Sequence, residues 1–581
     1  MALVETRTIP GSLRSRLSYQ PQVLRFGTSG RRGEVVHLTQ LEIYTNALAE
    51  LQYLQSLAPS EGGIRQGDEF YFGYDLRPSS TRFVAEENGR GEIAQAIVRA
   101  IGDAGMRPVN VGAVPTPALT SFALSRGRGS IMVTGSHIPF DRNGYKTNTS
   151  RGELLKKHEL PISDNVERVR ARLYAETWTD SPFDENGRFK SGHDELPPET
   201  DEASVAYIRR YTDFFGGQSL DGMRLLFYQH SAVGRDLAVE LLKRLGAEVI
   251  PAGRSETFVP IDTENIDAEQ LNTIQKLVNE AVAAHGRMDV VVSLDGDSDR
   301  PLVLGIDPAT GQARFFGGDL LGMVVAEYLG ADAVVVPISC NDAIDRGKLA
   351  SVLQPKTRIG SPFVIAGMEK ALAEGKRTVC GWEANGGFLT GSRIERGSRG
   401  LDALPTRDAM LPILCTLFSA NTQGSTLIDL FAGLPKRFSR AALLKNFPRP
   451  VGLEIVRRFS PASASIEEAD FGQDPPLLCG GGAQLEREEK LAADLSQIRQ
   501  KLEQYFSRER GFAPIARLNY IDGVRMTFSN GDVAHLRPSG NADEFRIYAV
   551  ADAQARAEQI AALGIAEPDG IMREIERSVS S

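Results

Sequence analysis

The chain has 581 residues, of which 41% are hydrophobic and 24% are charged, and this length is enough for about four domains. Its 66 lysines and arginines against 75 aspartates and glutamates give a net charge of −9, which argues against nucleic acid or an anionic membrane as the main partner. We find no apolar run of membrane-spanning length, no secretory hydrophobic segment at the N-terminus and no metal-like spacing of the four cysteines, so we expect a cytoplasmic protein with reduced thiols.

Strand-like and helix-like segments alternate along most of the chain, which is typical of α/β domains with sheets covered on both faces. We predict strands at 70–75, 108–111, 224–228 and 333–337 and helices at 92–101 and 233–245. Polar stretches at 177–200 and 461–489 mark the expected joints, and the second contains a run of three glycines that indicates a surface insertion.

A serine turn follows the buried strand predicted at 129–133. Ser136 should be exposed at the end of that strand, with His137 and Lys146 close behind it in sequence. A serine is a poor nucleophile unless a neighbouring base or field helps to remove its proton, and these two residues are candidates for that help. The alternative is an ordinary turn without a catalytic role.

Three carboxylates stand at alternate positions after the apolar run 288–294. Asp295, Asp297 and Asp299 should lie on one side of an extended loop, where their oxygens would suit a hard ion such as Mg²⁺. A helix-loop-helix calcium site is excluded, because Arg300 and Ile306 occupy the positions of its glycine and closing glutamate. The alternative is a solvated acidic turn.

Two glycine-rich turns lie further along, at 381–388 and 537–548. The second places Arg537, Ser539 and the backbone of Gly540 together, a combination that builds an oxyanion or phosphate cradle. The Walker pattern is absent, which disfavours a P-loop nucleotide. Taken separately, each turn is equally compatible with a plain turn, since Gly, Ser and Asn favour turns for backbone reasons.

Together and in this order, the four segments closely resemble the loops of the α-D-phosphohexomutase family. The resemblance begins at Arg25-Phe26-Gly27-Thr28-Ser29-Gly30-Arg31-Arg32-Gly33 and covers nearly the whole chain. It implies three similar α/β domains with mixed sheets, plus a smaller C-terminal α+β domain, around a central cleft. The corresponding predicted domains are 1–190 with the phosphoserine loop, 191–312 with the metal-binding loop, 313–435 with the sugar-binding loop and 436–581 with the phosphate-binding loop.

The resemblance also implies a role for each candidate residue. The implied catalytic residues are Ser136 as phosphoserine, His137, Lys146 and Arg25; the Mg²⁺ ligands are Ser136, Asp295, Asp297 and Asp299; and the substrate-binding residues are Arg300, Glu383, Asn385, Arg537, Ser539, Gly540 and Asn541. For Arg25 and Arg300, a surface ion pair is the alternative. The chain departs from the family pattern at Ile138, which replaces an amide side chain, at Asn385 and Gly387 in the sugar loop, and at Asn541 in the last loop.

The implied activity interconverts hexose 1-phosphate and hexose 6-phosphate, of mannose or glucose, with mannose slightly favoured. The phosphoserine gives its phosphoryl group to the substrate, and the resulting 1,6-bisphosphate turns around and returns its other phosphate. The expected partners are therefore hexose phosphates and the hexose 1,6-bisphosphate, without nucleic acid or membrane, for a monomer or homodimer. The alternatives are a phosphoglucosamine mutase, a metal-dependent sugar phosphatase in which water accepts the phosphoryl group, and a non-catalytic sugar-phosphate-binding protein.

Overall fold

The computed structural model describes residues 9–85, 89–192, 195–264, 266–481, 483–486, 489–539 and 543–580. These residues form two compact units. The first contains the described residues up to Ala333 together with Ser361–Leu430, and the second contains Val334–Gly360 together with the described residues from Phe431 onward. Among the described residues, no helix combines the length and the apolar character needed to cross a bilayer.

The secondary structure alternates between helices and strands up to about residue 430 and is strand-rich beyond it. The α-helices are α1 Leu13–Arg16, α2 Gln40–Ser56, α3 Pro78–Thr81, α4 Ile93–Asp103, α5 Thr116–Ser125, α6 Lys156–Ala175, α7 Glu202–Phe214, α8 Arg235–Arg244, α9 Ala268–His285, α10 Gly318–Leu329, α11 Ser361–Ala373, α12 Met410–Gln423, α13 Leu427–Ala432, α14 Arg449–Arg458, α15 Glu489–Tyr505, α16 Gln554–Ile565 and α17 Ile571–Ser580. Short 3₁₀ helices span Val35–His37, Pro59–Glu61, Asp342–Asp345, Lys348–Ser351 and Arg508–Arg510.

The strands are β1 Arg31–Glu34, β2 Glu69–Tyr74, β3 Arg107–Ala113, β4 Ser130–Val133, β5 Arg142–Thr149, β6 Gly152–Glu153, β7 Arg224–His230, β8 Glu248–Arg254, β9 Val290–Leu294, β10 Pro301–Ile306, β11 Ala313–Phe315, β12 Ala333–Val335, β13 Val379–Trp382, β14 Phe388–Thr390, β15 Ile394–Arg396, β16 Arg399–Leu401, β17 Leu404–Asp408, β18 Phe438–Lys445, β19 Glu468–Asp470, β20 Leu477–Gly480, β21 Ala483–Gln484, β22 Ile515–Asn519, β23 Val524–Phe528, β24 Val533–Pro538 and β25 Glu544–Ala551.

The first sheet has the order β1-β5-β4-β2-β3, with β6 beside β5. Strand β2 is parallel to both β3 and β4, whereas β5 is antiparallel to β1 and β4, so the sheet is mixed. Every residue of β4 is buried, as expected of a short apolar strand covered on both faces. The register pairs Met132 with Lys146, which brings a lysine of β5 next to the end of β4.

The second sheet has the order β11-β10-β9-β7-β8, with β7 parallel to β8 and β9. Strands β9 and β10 pair antiparallel from Leu294 and Pro301, so the acidic segment 295–300 is the loop of a tight hairpin. Both strands are buried along their whole length. The carboxylates therefore begin where a rigid, buried strand ends.

In the third region of the first unit, β13 pairs antiparallel with β14, and β14 pairs antiparallel with β17. The turn between β13 and β14 is the glycine-rich segment 383–387. Trp382, at the end of β13, is stacked on Phe388 and lies against α10, where a Cβ on Gly322 would be 2.3 Å from its ring. The glycine therefore permits the close helix contact that holds the base of this turn.

The second unit is built on an eight-stranded sheet with the order β18-β25-β24-β23-β22-β19-β20-β21. Helices α14–α17 and this sheet share an apolar core that includes the stacked rings of Phe447 and Phe545. The predicted fold class is confirmed, with three α/β regions in chain order followed by an α+β region. The exact domain boundaries stay a prediction.

Two polar segments that the sequence assigned to joints are ordered parts of the fold. The segment 461–489 contains β19, β20 and β21, which extend the C-terminal sheet beyond β22, so it is not a plain surface insertion. Buried Ala469 and Leu478, each flanked by more exposed positions, give it a strand pattern. In the segment 177–200, Phe183 and Phe189 are buried against Tyr44 and anchor the chain to the first core.

Candidate active site

Ser136 lies three residues beyond β4, in a left-handed backbone conformation with φ of +56°. Its backbone N–H donates to Thr134 Oγ1 at 2.7 Å, which closes the turn. A non-glycine residue in this region is uncommon and is often found at functional sites. The prediction that Ser136 is exposed is wrong: its side chain is fully buried because the turn packs against the acidic loop, and Oγ donates to Asp295 Oδ2 at 2.9 Å.

Arg77, which the sequence analysis missed, donates hydrogen bonds to backbone carbonyls of the serine turn. Its Nη2 donates to the carbonyl of Ser136 at 2.9 Å and its Nη1 to that of Pro139 at 2.6 Å, while Nε pairs with Asp75 at 3.2 Å. A Cβ on Gly135 would lie 2.7 Å from this guanidinium. Gly135 therefore leaves room for the arginine that fixes the nucleophile's backbone.

The three aspartates of the acidic loop are buried together, so the alternative of a solvated acidic turn is wrong. One carboxylate oxygen from each lies within 4.8 Å of the others. Asp295 Oδ1 accepts hydrogen bonds from the backbone N–H groups of Asp299 and Arg300, both at 3.1 Å. A Cβ on Gly296 would lie 2.6 Å from the carbonyl oxygen of Ser136, so this glycine allows the serine and acidic loops to touch.

Lys146 supplies the nearest positive charge to the triad. Its Nζ donates to Asp297 Oδ2 at 2.6 Å and to Asp299 Oδ2 at 2.7 Å, and Thr116 Oγ1 also donates to Asp297 Oδ2 at 2.6 Å. Burial and the charges of Asp297 and Asp299 raise the pKa of Asp295 well above its usual range. Burial also acts to raise the pKa of Asp297, but the charge and hydrogen bond of Lys146 outweigh it and hold that pKa below the usual range.

Two oxygens of the triad are suited to a cation. Asp297 Oδ1 and Asp299 Oδ1 are buried and meet no hydrogen-bond donor within the described part of the chain. Buried carboxylate oxygens normally accept hydrogen bonds, so two that meet no donor, beside a third carboxylate that binds a serine hydroxyl, fit a bound cation. The donors are all oxygens, which fits a hard divalent ion.

The sugar-loop candidates lie in the turn between β13 and β14. Glu383 is buried, and its Oε2 accepts from Arg407 Nη1 at 2.8 Å. The side chain of Asn385 is used within the turn, where its Oδ1 accepts from the backbone N–H of Gly387 at 2.9 Å. Thr263 Oγ1 donates to the carbonyl of Asn385 at 2.7 Å and ties the turn to the second sheet's region.

Arg407 is a second residue that the sequence analysis missed. It is buried and bridges the two loops, because its Nε lies 3.3 Å from Asp299 Oδ2 while its Nη1 binds Glu383. Burial acts to lower its pKa, but the charges of Asp299 and Glu383 raise it well above the usual range. The guanidinium is therefore a fixed positive charge between the metal-binding and sugar-binding candidates.

The remaining basic candidates of the first unit differ in position. His137 Nδ1 lies 3.5 Å from Ser136 Oγ. Arg300 is buried, with Nε 3.8 Å from Asp295 and 3.6 Å from Asp299, so the surface ion-pair alternative for it is wrong. Arg25 is exposed.

Arg32, in strand β1, is a further arginine to which the sequence analysis gave no role. Its Nε and Nη2 are buried and lack a hydrogen-bond partner within the described ranges. Burial lowers its pKa to about 10, against the opposing attraction of Asp297. Arg32 therefore contributes positive charge near the triad.

The phosphate-loop candidates lie in the second unit. Arg537, near the end of β24, donates through Nε to Asp522 Oδ1 at 2.9 Å, and its side chain is 14% exposed. The backbone N–H of Ser539 donates to the carbonyl of Glu544 at 2.9 Å and closes the start of the turn. Gly540 and Asn541 lie outside the described residues.

Comparison with known proteins identifies the family of the chain. Models of the phosphoglucomutase/phosphomannomutase family match the chain at residues 23–172 for alpha/beta/alpha domain I, 205–311 for domain II and 317–438 for domain III. A phosphomannomutase of Sinorhizobium fredii is 34% identical over 542 residues, covering 93% of this chain and 98% of that protein. A phosphomannomutase of Salmonella muenchen is 32% identical, covering 91% and 92% of the two chains.

A solved structure shares the fold. The phosphoglucomutase/phosphomannomutase family protein of Burkholderia thailandensis superposes with a TM-score of 0.60 at 18% identity, covering 96% of this chain and 98% of that one. The fold and the matches together define a phosphohexomutase, an isomerase that moves a phosphoryl group. The chain belongs to the phosphoglucomutase/phosphomannomutase family, which is metal-dependent, and its buried aspartate triad can bind a metal ion.

Proposed function

We propose that this enzyme interconverts the 1-phosphate and 6-phosphate of mannose and of glucose through a phosphoserine at Ser136 and a hexose 1,6-bisphosphate. The observation that carries the proposal is the contact between Ser136 Oγ and Asp295 at 2.9 Å, within a buried group of three carboxylates. The two related proteins named phosphomannomutase support mannose as one of the sugars.

We assign Mg²⁺ as the metal, held by Asp295, Asp297, Asp299 and an oxygen on Ser136. The support is the all-oxygen donor set and the two buried carboxylate oxygens without hydrogen-bond donors among the described residues. When bound, the ion neutralises charge on the transferring phosphoryl group, which is the main stabilisation that such a transfer needs.

The protein groups around Ser136 divide into charge-compensating and proton-handling residues. Lys146 is bonded to two carboxylates, so its primary role here is to offset their charge and to keep them in place. His137 Nδ1 lies 3.5 Å from the serine hydroxyl, and His137 is our candidate for proton transfer with the attacking sugar hydroxyl. Arg300 and Arg25 are assigned to electrostatic support of the phosphoryl group.

Glu383 is the proposed acceptor for hydrogen bonds from the sugar's ring hydroxyls. Asn385 shapes the same turn and presents the remaining part of its amide as a further sugar contact. Arg537 and Ser539, with Gly540 and Asn541, are the proposed ligands of the phosphate that is not being transferred. An arginine suits that role because it can grip a phosphate through two parallel hydrogen bonds.

An activity panel tests this proposal. The purified enzyme is assayed with mannose 1-phosphate, glucose 1-phosphate and glucosamine 1-phosphate, with Mg²⁺ or with excess chelator, and both hexose 6-phosphate and inorganic phosphate are measured. We expect turnover of the mannose and glucose compounds, with mannose favoured, and only when Mg²⁺ is present. Exclusive use of the glucosamine compound would contradict the sugar assignment, and release of inorganic phosphate instead of hexose 6-phosphate would favour a phosphatase.

A further inference from the structure

The end of β17 carries three consecutive residues that are fixed by three different parts of the first unit. Thr406 Oγ1 donates to Glu153 Oε1 at 2.6 Å, and Asp408 accepts from the hydroxyls of Tyr207, at 2.6 Å, and Tyr211. In a strand, alternate side chains point to opposite faces, so these anchors hold the backbone on both sides of Arg407. The position of Arg407 is therefore set by the fold and not by a flexible loop.

The pairing of β17 with β14 is irregular at this point. Phe388 pairs with Asp408 and Thr390 pairs with Leu404. An advance of two residues along β14 therefore corresponds to four residues along β17. Irregularities of this kind re-aim a side chain and are frequent next to active sites. Here the extra length contains Arg407, which reaches Glu383 of one loop and Asp299 of another.

The aliphatic stem of Arg407 lies on Gly387. A Cβ on this glycine would be 2.4 Å from Cδ of Arg407, 2.6 Å from Cγ and 2.9 Å from Cβ. The φ angle of Gly387 is outside the left-handed region, so the backbone conformation does not demand glycine there. The requirement is spatial: the side chain of Arg407 occupies the volume that any residue larger than glycine would need at 387.

We propose that Arg407 and Gly387 form an interlocked pair, in which the arginine is a positioning residue that orients Glu383 toward the sugar and thereby sets sugar selectivity. The inference rests on the proposed role of Glu383 as the sugar-hydroxyl acceptor. A guanidinium can hold two carboxylates at fixed angles, whereas an ammonium acts as a point charge. Without the arginine, Glu383 is a buried carboxylate with no fixed direction, and its discrimination between two epimers weakens.

A double-mutant cycle tests the interlock. The variants are Arg407→Met, Gly387→Ala and the combination of the two, and the control is Arg393→Met, which changes an exposed arginine on the nearby β15–β16 hairpin region. For each variant we measure kcat and KM with mannose 1-phosphate and glucose 1-phosphate. Binding of mannose 1-phosphate is also measured by calorimetry in a Ser136→Ala background, where no turnover occurs, and thermal unfolding reports on folding.

We expect Arg407→Met to weaken binding of mannose 1-phosphate at least tenfold and to change the mannose-to-glucose ratio of kcat/KM at least threefold. Gly387→Ala should produce a similar change in the presence of Arg407, because the new methyl group displaces the arginine stem. In the Arg407→Met background, the same alanine should add less than a twofold effect, because neighbours that share one interaction are not additive. Arg407→Lys should recover part of the binding but not the sugar ratio.

The interlock would be overturned if the fold-changes of the two single variants multiply in the double variant. It would also be overturned if the mannose-to-glucose ratio is unchanged in both single variants. A loss of folded protein alone would not change the mannose-to-glucose ratio of kcat/KM, because that ratio is measured on the folded fraction. If Arg407→Met does not fold, Gly387→Ala supplies the test of the sugar ratio. Wild-type enzyme that turns over neither hexose phosphate would instead refute the proposed function, so the two failures are distinguishable.

Discussion

Replacing Lys146 by methionine removes the ammonium group that contacts two members of the aspartate triad. The wild-type distances are 2.6 Å to Asp297 and 2.7 Å to Asp299, and both carboxylates are buried. Methionine preserves much of the apolar stem, so the change acts mainly on charge. Because the buried carboxylates of Asp297 and Asp299 then lack this compensation, the metal-free protein should be less stable.

The size of the stability loss follows from the burial of the Lys146 ion pairs. Removing one partner of a buried ion pair costs about 3 to 5 kcal/mol, because it leaves an uncompensated buried charge. The matched control is Lys370→Met, which breaks a 4.0 Å contact with Glu374 between side chains that are 71% and 51% exposed. An exposed pair of this kind contributes at most about 1 kcal/mol.

Denaturant unfolding followed by tryptophan fluorescence measures this difference. The sequence has two tryptophans, Trp178 and Trp382, and both lie in the first unit, with Trp382 directly before Glu383. In excess chelator, Lys146→Met should unfold at clearly lower denaturant than wild type and the Lys370→Met control. Adding Mg²⁺ should stabilise Lys146→Met more than wild type. The ion binds the folded state and compensates the buried negative charge that the lysine no longer offsets.

Equal unfolding midpoints for the Lys146 and Lys370 variants in chelator would refute the reasoning. It would mean that the triad does not depend on this ammonium for its compensation. A Mg²⁺ response that is the same in wild type and Lys146→Met would contradict the assignment of the ion to these carboxylates.

Three further predictions concern the ion, the acid response and the distal phosphate. Asp297→Asn should raise the Mg²⁺ concentration needed for half-maximal activity, because it removes one ligand charge, and undiminished activity of wild type in excess chelator would contradict the metal assignment. Burial lowers the pKa of His230 from 6.5 to about 4, so the folded state favours the neutral ring; stability is fully present above pH 6.5 and is lost as the pH falls toward 4. The linked loss of unfolding free energy is about 3 kcal/mol. It is measured as the difference in unfolding free energy between wild type and His230→Gln across this pH range. Parallel pH profiles of the two proteins would refute the prediction. Arg537→Lys and Ser539→Ala should lower kcat and raise KM, because binding of the remote phosphate orients the reacting end, and wild-type kinetics in both variants would move the phosphate site elsewhere.

Local patterns in the sequence predicted most of the elements that carry the site. The strand predicted at 70–75 is Glu69–Tyr74, and the helix predicted at 233–245 is Arg235–Arg244. The acidic loop was identified from alternation alone, because its three carboxylates come from one short segment. Such features depend on neighbours in sequence, which a single chain displays directly.

The contacts that complete the site could not be read in the same way. Arg407 reaches Asp299 across 108 positions in sequence, and Arg77 reaches Ser136 across 59. The burial of Ser136 likewise arises from a partner, Asp295, that is 159 positions away. The available signal was indirect: Gly135 and Gly387 look like ordinary turn residues, and only the folded chain shows that each makes space for a particular arginine.

The most direct test of the account follows a phosphate from Ser136 to the sugar. Enzyme labelled with radioactive phosphate, by exposure to labelled hexose 1,6-bisphosphate, is freed of excess label and mixed with unlabelled mannose 1-phosphate and Mg²⁺. We predict that the label maps to Ser136 before mixing, that Ser136→Ala takes up none, and that a single turnover moves the label to the carbon-6 phosphate of the product. Label released as inorganic phosphate, or label that stays on the protein while mannose 6-phosphate forms, would contradict the account.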